Sequence, residues 1–168
     1  TCAILENRLM MAGEMEDLTI IVIDDHPIFR QGVVNTLSFE PGLKVVGEAS
    51  TGTDAISMIR DLRPMVAVVD INLPGVNGLQ VTHHVSINKL PTRIVLLTAY
   101  DDQDQIFHAA LAGAAAYCSK DVVPSRLIET IKEVAQGKYV IRDRVFNQKE
   151  FTHWLDEQLE QARHLYSE

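Results

Sequence analysis

Short β-branched runs alternate with stretches of helical period along most of this 168-residue chain. Leu18 to Ile23, Leu43 to Val46, Met65 to Val69, Arg93 to Leu97 and Ala115 to Cys118 are apolar almost throughout, as strands buried on both faces must be. Between them, Pro27 to Phe39, Thr53 to Leu62, Leu79 to Asn88, Gln103 to Leu111 and Pro124 to Gln136 carry apolar residues three and four apart, which predicts helices. Punctuation agrees. Pro27 and Pro124 stand where a first helical turn tolerates a missing N–H, and Gly113 and Gly137 stand where a helix can end. Strict strand–helix alternation predicts a parallel sheet with helices on both faces, an α/β fold.

Past Gly137 the pattern changes. From Arg144 onward, Phe151, Leu155, Leu159, Ala162 and Tyr166 follow steps of four, four, three and four, one apolar stripe on a C-terminal helix. An isolated helix of that length is marginal in water, so the stripe needs a cover. Either it folds back on its own domain with Trp154 as a packing anchor, or it pairs with another protomer or an output domain. The intermolecular contact is the expectation carried forward.

Ligands of a parallel α/β sheet bind outside the carboxyl ends of the strands. The polar residues at those ends are Asp24 and Asp25 after the first strand, Asp70 after the third, Thr98 after the fourth and Lys120 after the fifth. Three carboxylates in one crevice repel one another, and a divalent cation removes the conflict. Hard oxygen ligands with water positions left open suit Mg²⁺. An adjacent ammonium adds a point charge for a phosphoryl group, so carboxylate nucleophile, metal, hydroxyl and lysine together make a phosphoryl-accepting site.

Composition narrows the setting. Fifteen basic against twenty-three acidic residues give a net charge of −8, which repels a nucleic-acid backbone, and no basic run offsets it. Cys2 and Cys118 form no paired framework or CxxC spacing. No apolar run is long enough for a membrane span, and the start of the chain lacks a signal-peptide pattern. A reducing cytoplasm and no membrane are the expectation.

Four segments carry a specific resemblance: LTIIVIDDHPIF (Leu18 to Phe29), VVDINLPGVNG (Val68 to Gly78), LLTAY (Leu96 to Tyr100) and AAYCSKD (Ala115 to Asp121). Over about Leu18 to Lys138 the chain resembles receiver domains of two-component response regulators. DDHP, VVGEAS and SKD resemble the branch that usually continues into a LuxR-type helix-turn-helix output domain. The resemblance implies a flavodoxin-like (βα)5 three-layer sandwich, with a five-stranded parallel sheet of order 2-1-3-4-5 followed here by the C-terminal helix.

It also implies roles. Asp70 is the phosphoacceptor, Asp25 a direct Mg²⁺ ligand, Asp24 a ligand mainly through water, and Asn72 a ligand through its backbone carbonyl. Thr98 meets the phosphoryl oxygen after activation and Lys120 pairs with another. Tyr117 is the aromatic switch that turns inward when Thr98 moves. The implied partners are a sensor histidine kinase, a second protomer, and DNA only through an output domain absent from this chain. One departure stands out: Asp121 follows Lys120 where many receivers have a proline in a cis peptide.

The histidines are weaker candidates. His83 and His84 are sequence neighbours that a helix turns in different directions, so they make no metal clamp. His26 is expected to start a helix rather than to act in the pocket. A phosphatase of the haloacid dehalogenase type needs DxD after strand one, and His26 stands where its second aspartate would be. A flavodoxin needs a hydroxyl-rich phosphate loop there, where this chain has acids. A complete transcription factor needs a basic recognition helix, whereas Arg144 to Glu168 holds three basic and five acidic residues. The expected division is an N-terminal extension over 1–17, in part vector-derived, a receiver over 18–138, and a linker with its helix over 139–168. A stand-alone receiver without DNA output is the alternative.

Overall fold

A computed structural model describes residues 16–100 and 102–167, so most of the expected N-terminal extension lies outside the described residues. The strands are β1 (Leu18–Ile23), β2 (Leu43–Ala49), β3 (Val66–Asp70), β4 (Arg93–Thr98), β5 (Ala116–Ser119), β6 (Tyr139–Ile141) and β7 (Arg144–Phe146). The helices are α1 (Pro27–Phe39), α2 (Gly52–Leu62), α3 (Gly78–Ile87), α4 (Gln103–Ala112), α5 (Pro124–Ala135) and α6 (Gln148–Tyr166).

The first five strands pair in parallel in the order β2-β1-β3-β4-β5, the flavodoxin-like arrangement. Alternation along each strand divides the core in two. Ile21, Ile23, Ala67 and Val69 pack on one face with Ile59 of α2, Val81 of α3 and Ile106 of α4. Ile20, Val22, Val66 and Val68 pack on the other with Leu37 of α1 and Leu127 and Ile131 of α5. Helix starts are fixed locally. Asn77 and Gln80 form a reciprocal capping box on α3, Asn147 and Glu150 another on α6, and Pro27 and Pro124 open α1 and α5.

Residues 139–146, expected as linker, extend the sheet instead. β6 adds in parallel to β5, with Ala116 opposite Val140 and Tyr117 opposite Ile141, and β7 returns antiparallel. Two three-residue strands are too short for a readable period, and Arg142 and Asp143 at their turn offer none of the Gly or Asn that marks a hairpin.

The first half of α6 then folds back. Phe151 is buried, and Trp154 and Leu155 are half-buried against the same core. Tyr139 stacks on Phe151 with centroids 4.0 Å apart, and Trp154 lies 5.8 Å from both Phe146 and Phe151. The fold-back reading, with Trp154 as anchor, therefore holds for this half of the stripe, where an intermolecular contact was expected. Leu159 and Ala162 are half-exposed, and Tyr166 is exposed. Among the described residues no helix is long and apolar enough to cross a membrane.

Candidate functional site

The carboxyl ends of β1, β3 and β5 bring Asp24, Asp70 and Lys120 together. Asp24 and Asp70 are each only 1% exposed. Burying two carboxylates is costly unless they are paired. Lys120 Nζ supplies the pairing, 2.8 Å from Asp24 Oδ2 and 3.0 Å from Asp70 Oδ2. Burial pulls the Lys120 ammonium toward losing its proton, but the two carboxylates outweigh it and hold its pKa above the usual lysine value. Nζ also sits 4.6 Å from the centroid of the Phe29 ring on α1, a cation–π contact that helps fix the ammonium.

Backbone groups orient the acids. The Asn72 N–H donates to Asp70 Oδ1 at 3.0 Å, and the His26 N–H donates to Asp24 Oδ1 at 2.8 Å. Arg30 Nη1 donates to the Asp24 carbonyl at 2.7 Å while its Nε bonds Glu48 at 3.0 Å, anchoring the loop after β1 to β2. The loop after Asp70 is held by α3. A Cβ on Gly78 would stand 2.5 Å from the Asp70 carbonyl oxygen and 2.8 Å from Ile71 Cα, so only glycine lets the helix start approach this closely.

His26 begins α1, as expected, but its side chain makes no cap. Its Nδ1 instead lies 3.0 Å from Asp24 Oδ1, 3.2 Å from Asp25 Oδ1 and 3.8 Å from Asp70 Oδ2. Ligand atoms of Asp24, Asp25, His26 and Asp70 all lie within 4.8 Å of one another. Asp25 Oδ1 is buried and accepts no hydrogen bond. Such an oxygen, beside the hard carboxylate donors of Asp24 and Asp70, fits a divalent cation of the Mg²⁺ type.

Beside the acids lies a cluster of hydroxyls. Thr98 Oγ1 is 2.8 Å from the Tyr100 carbonyl and 3.1 Å from Gln105 Oε1 of α4. The Tyr117 hydroxyl is 3.0 Å from the same Gln105 oxygen and 3.3 Å from the same Tyr100 carbonyl. Tyr117 is 1% exposed, so its ring is turned inward.

Residues 20–132 match the response regulator receiver domain family. The chain belongs to this family. A receiver from Mycobacterium tuberculosis, the signal receiver domain of the response regulator NarL, superposes with a TM-score of 0.71 at 38% identity, covering 73% of this chain and 98% of that one. The curated protein named "Probable transcriptional regulatory protein NarL" from the same organism is 37% identical over 79% of this chain and 61% of its own length. The nitrate/nitrite response regulator protein NarL of Escherichia coli is 35% identical over 78% of this chain and 61% of that protein. The chain thus spans about three fifths of the length of these two curated proteins.

Within the receiver, Asp24, Asp25, Asp70, Asn72, Thr98 and Lys120 lie at the carboxyl end of the sheet or in the loops leaving it, whereas Tyr117 lies within β5 and His83 and His84 lie on α3. Asp24, Asp25 and Asp70 are brought together with Lys120, while Thr98 and Tyr117 meet through Tyr100 and Gln105. All peptide bonds among the described residues are trans, that before Asp121 included, and the Asp121 N–H bonds Ser119 Oγ at 3.1 Å. Three participants went unread in the sequence: the His26 ring, Phe29 under the lysine, and Gln105 between the hydroxyls. Phe29 and Gln105 sit at ordinary helical positions, so nothing in periodicity marks them.

Proposed function

We propose that this receiver takes a phosphoryl group from a phosphohistidine of a sensor kinase onto Asp70, in a Mg²⁺-dependent reaction, and so switches a regulator of transcription. What carries the reading is the Asp70 carboxylate, buried, oriented by Asn72 N–H and paired with Lys120 at 3.0 Å beside a second acid pair. An Asp70 oxygen forms the new bond to phosphorus as the phosphorus–nitrogen bond of the donor breaks, and the donor imidazole leaves.

Asp25 and Asp24 would hold the metal, Asp24 mainly through water, with Asp70 and the Asn72 carbonyl completing the protein's share. When bound, Mg²⁺ supplies positive charge to the phosphoryl oxygens. Lys120 supplies the other positive charge, already held in place by Asp24, Asp70 and Phe29. Thr98 turns its hydroxyl to a phosphoryl oxygen, and Tyr117 responds.

The signal leaves through the face around β5. That face carries the chain's own β6–β7 hairpin and α6, which packs on α4. DNA contact would come through an output domain outside this chain, with a second protomer as a further partner and the cytoplasm as the setting. Incubation with acetyl phosphate and Mg²⁺, read by intact mass, should add one phosphoryl group. An adduct that forms equally well in excess chelator would contradict the metal-dependent reading.

A further inference from the structure

Resting on the proposed Mg²⁺ site, we infer that Arg30 is a positioning residue of that site, because its guanidinium holds the peptide unit from which Asp25 projects. Arg30 Nη1 donates to the Asp24 carbonyl at 2.7 Å, and Nε donates to Glu48 Oε1 at 3.0 Å. The Asp24 carbonyl and the Asp25 N–H belong to one planar unit, so fixing the oxygen fixes the plane that leads into Asp25. On the other side of Asp24 the chain is held by β2, where the Asp24 N–H donates to the Ala49 carbonyl at 3.1 Å. Arg30 also binds the loop through its own backbone, its N–H donating to the His26 carbonyl at 2.9 Å. Glu48 and Ala49 of β2 and Arg30 of α1 thus clamp the turn between β1 and α1.

Asp25 needs such a clamp more than its neighbour does. The Asp24 carboxylate is buried and held by the His26 N–H and by Lys120. The Asp25 side chain is 34% exposed and its Oδ1 accepts no hydrogen bond, while the His26 ring 3.2 Å away is itself 64% exposed and a loose support. The direction of the Asp25 carboxylate therefore depends on the backbone behind it. Outer partners that orient a metal ligand in this way govern affinity for the ion. The Arg30 and Glu48 side chains are 20% and 42% exposed. A pair so open to water adds little to the stability of the fold, so loss of Arg30 should be felt at the metal site before it is felt in unfolding. Charge alone makes the opposite prediction, since an arginine beside a cation site repels the ion and its removal should tighten binding.

The test is Mg²⁺ affinity, read by calorimetry on wild type, Arg30→Met, Arg30→Lys and Glu48→Gln. Arg30→Lys keeps the charge but replaces the fork that spans two acceptors with a compact head, and Glu48→Gln removes a charge while keeping an acceptor for Arg30 Nε. Arg30→Met should weaken Mg²⁺ binding by about tenfold, and Arg30→Lys by less but in the same direction. Glu48→Gln should bind as wild type does. In an Asp25→Ala background, Arg30→Lys should cost nothing further, because the ligand it positions is gone. Binding as tight as wild type, or tighter, in Arg30→Met or Arg30→Lys overturns the positioning role. So does a weakening in Glu48→Gln as large as that in Arg30→Lys, and so does an undiminished Arg30→Lys loss in the Asp25→Ala background. Should Arg30→Met not fold, Arg30→Lys decides alone. A wild type that binds no Mg²⁺ overturns the metal reading itself, and the inference with it.

Discussion

Tyr117 and Ile141 stand opposite each other across β5 and β6, and the Arg142 N–H donates to the Tyr117 carbonyl at 3.2 Å. The strand that leads to Lys120 is therefore paired on both sides, and the ring proposed to report phosphorylation is enclosed by the chain's own C-terminal segment. Ile141, Phe146 and Phe151 share a core with it.

Phe151 is the apolar anchor of that segment, buried and stacked on Tyr139. Phe151→Ala should cost about 3 kcal/mol in denaturant unfolding, the lower end for a buried aromatic because α6 can partly relax. It should also shift the emission of Trp154 to the red as that ring gains water. A loss below about 1 kcal/mol with unchanged emission would show that α6 is not packed this way.

Asp25→Ala removes a carboxylate whose Oδ1 is buried without a hydrogen bond. Mg²⁺ affinity, read by calorimetry, should fall by about tenfold or more, because a hard anionic ligand and its attraction for the ion are both lost. Unchanged affinity would remove Asp25 from the metal set.

The outline of the domain was legible because two-sided burial writes itself as plain apolar runs, seen in Val66–Asp70 and Arg93–Thr98, and because Pro27, Pro124 and Gly113 punctuate the helices. Asp24, Asp70 and Lys120 were legible because topology alone carries strand ends to one edge of a parallel sheet. What was not legible depends on side-chain direction. The His26 ring could cap α1 or face the acids, and in the fold it makes no cap and its Nδ1 lies 3.0 Å from Asp24 Oδ1. The hairpin over 139–146 gains its stability from β5 and Phe151 rather than from local propensity, so sequence patterning there was silent.

Cys118 gives a pH test of the core. Burial raises its thiol from 9.0 to about 11. The folded value lies above the unfolded one, so the neutral buried thiol contributes stability that is complete below pH 9.0 and is lost as pH rises toward about 11. Across that window wild type should lose about 2 to 3 kcal/mol more than Cys118→Ala in unfolding experiments. Parallel losses in the two chains would contradict a protonated, buried thiol. Slow reaction with thiol reagents at neutral pH is the companion expectation.

The central claim is that Asp70 itself is the acceptor, and intact mass on wild type and Asp70→Asn after treatment with acetyl phosphate and Mg²⁺ tests it most directly. The amide is a poor nucleophile and changes the charge beside Lys120. Wild type should gain the mass of one phosphoryl group and Asp70→Asn none. An adduct of undiminished yield in Asp70→Asn would place the chemistry elsewhere and contradict the account.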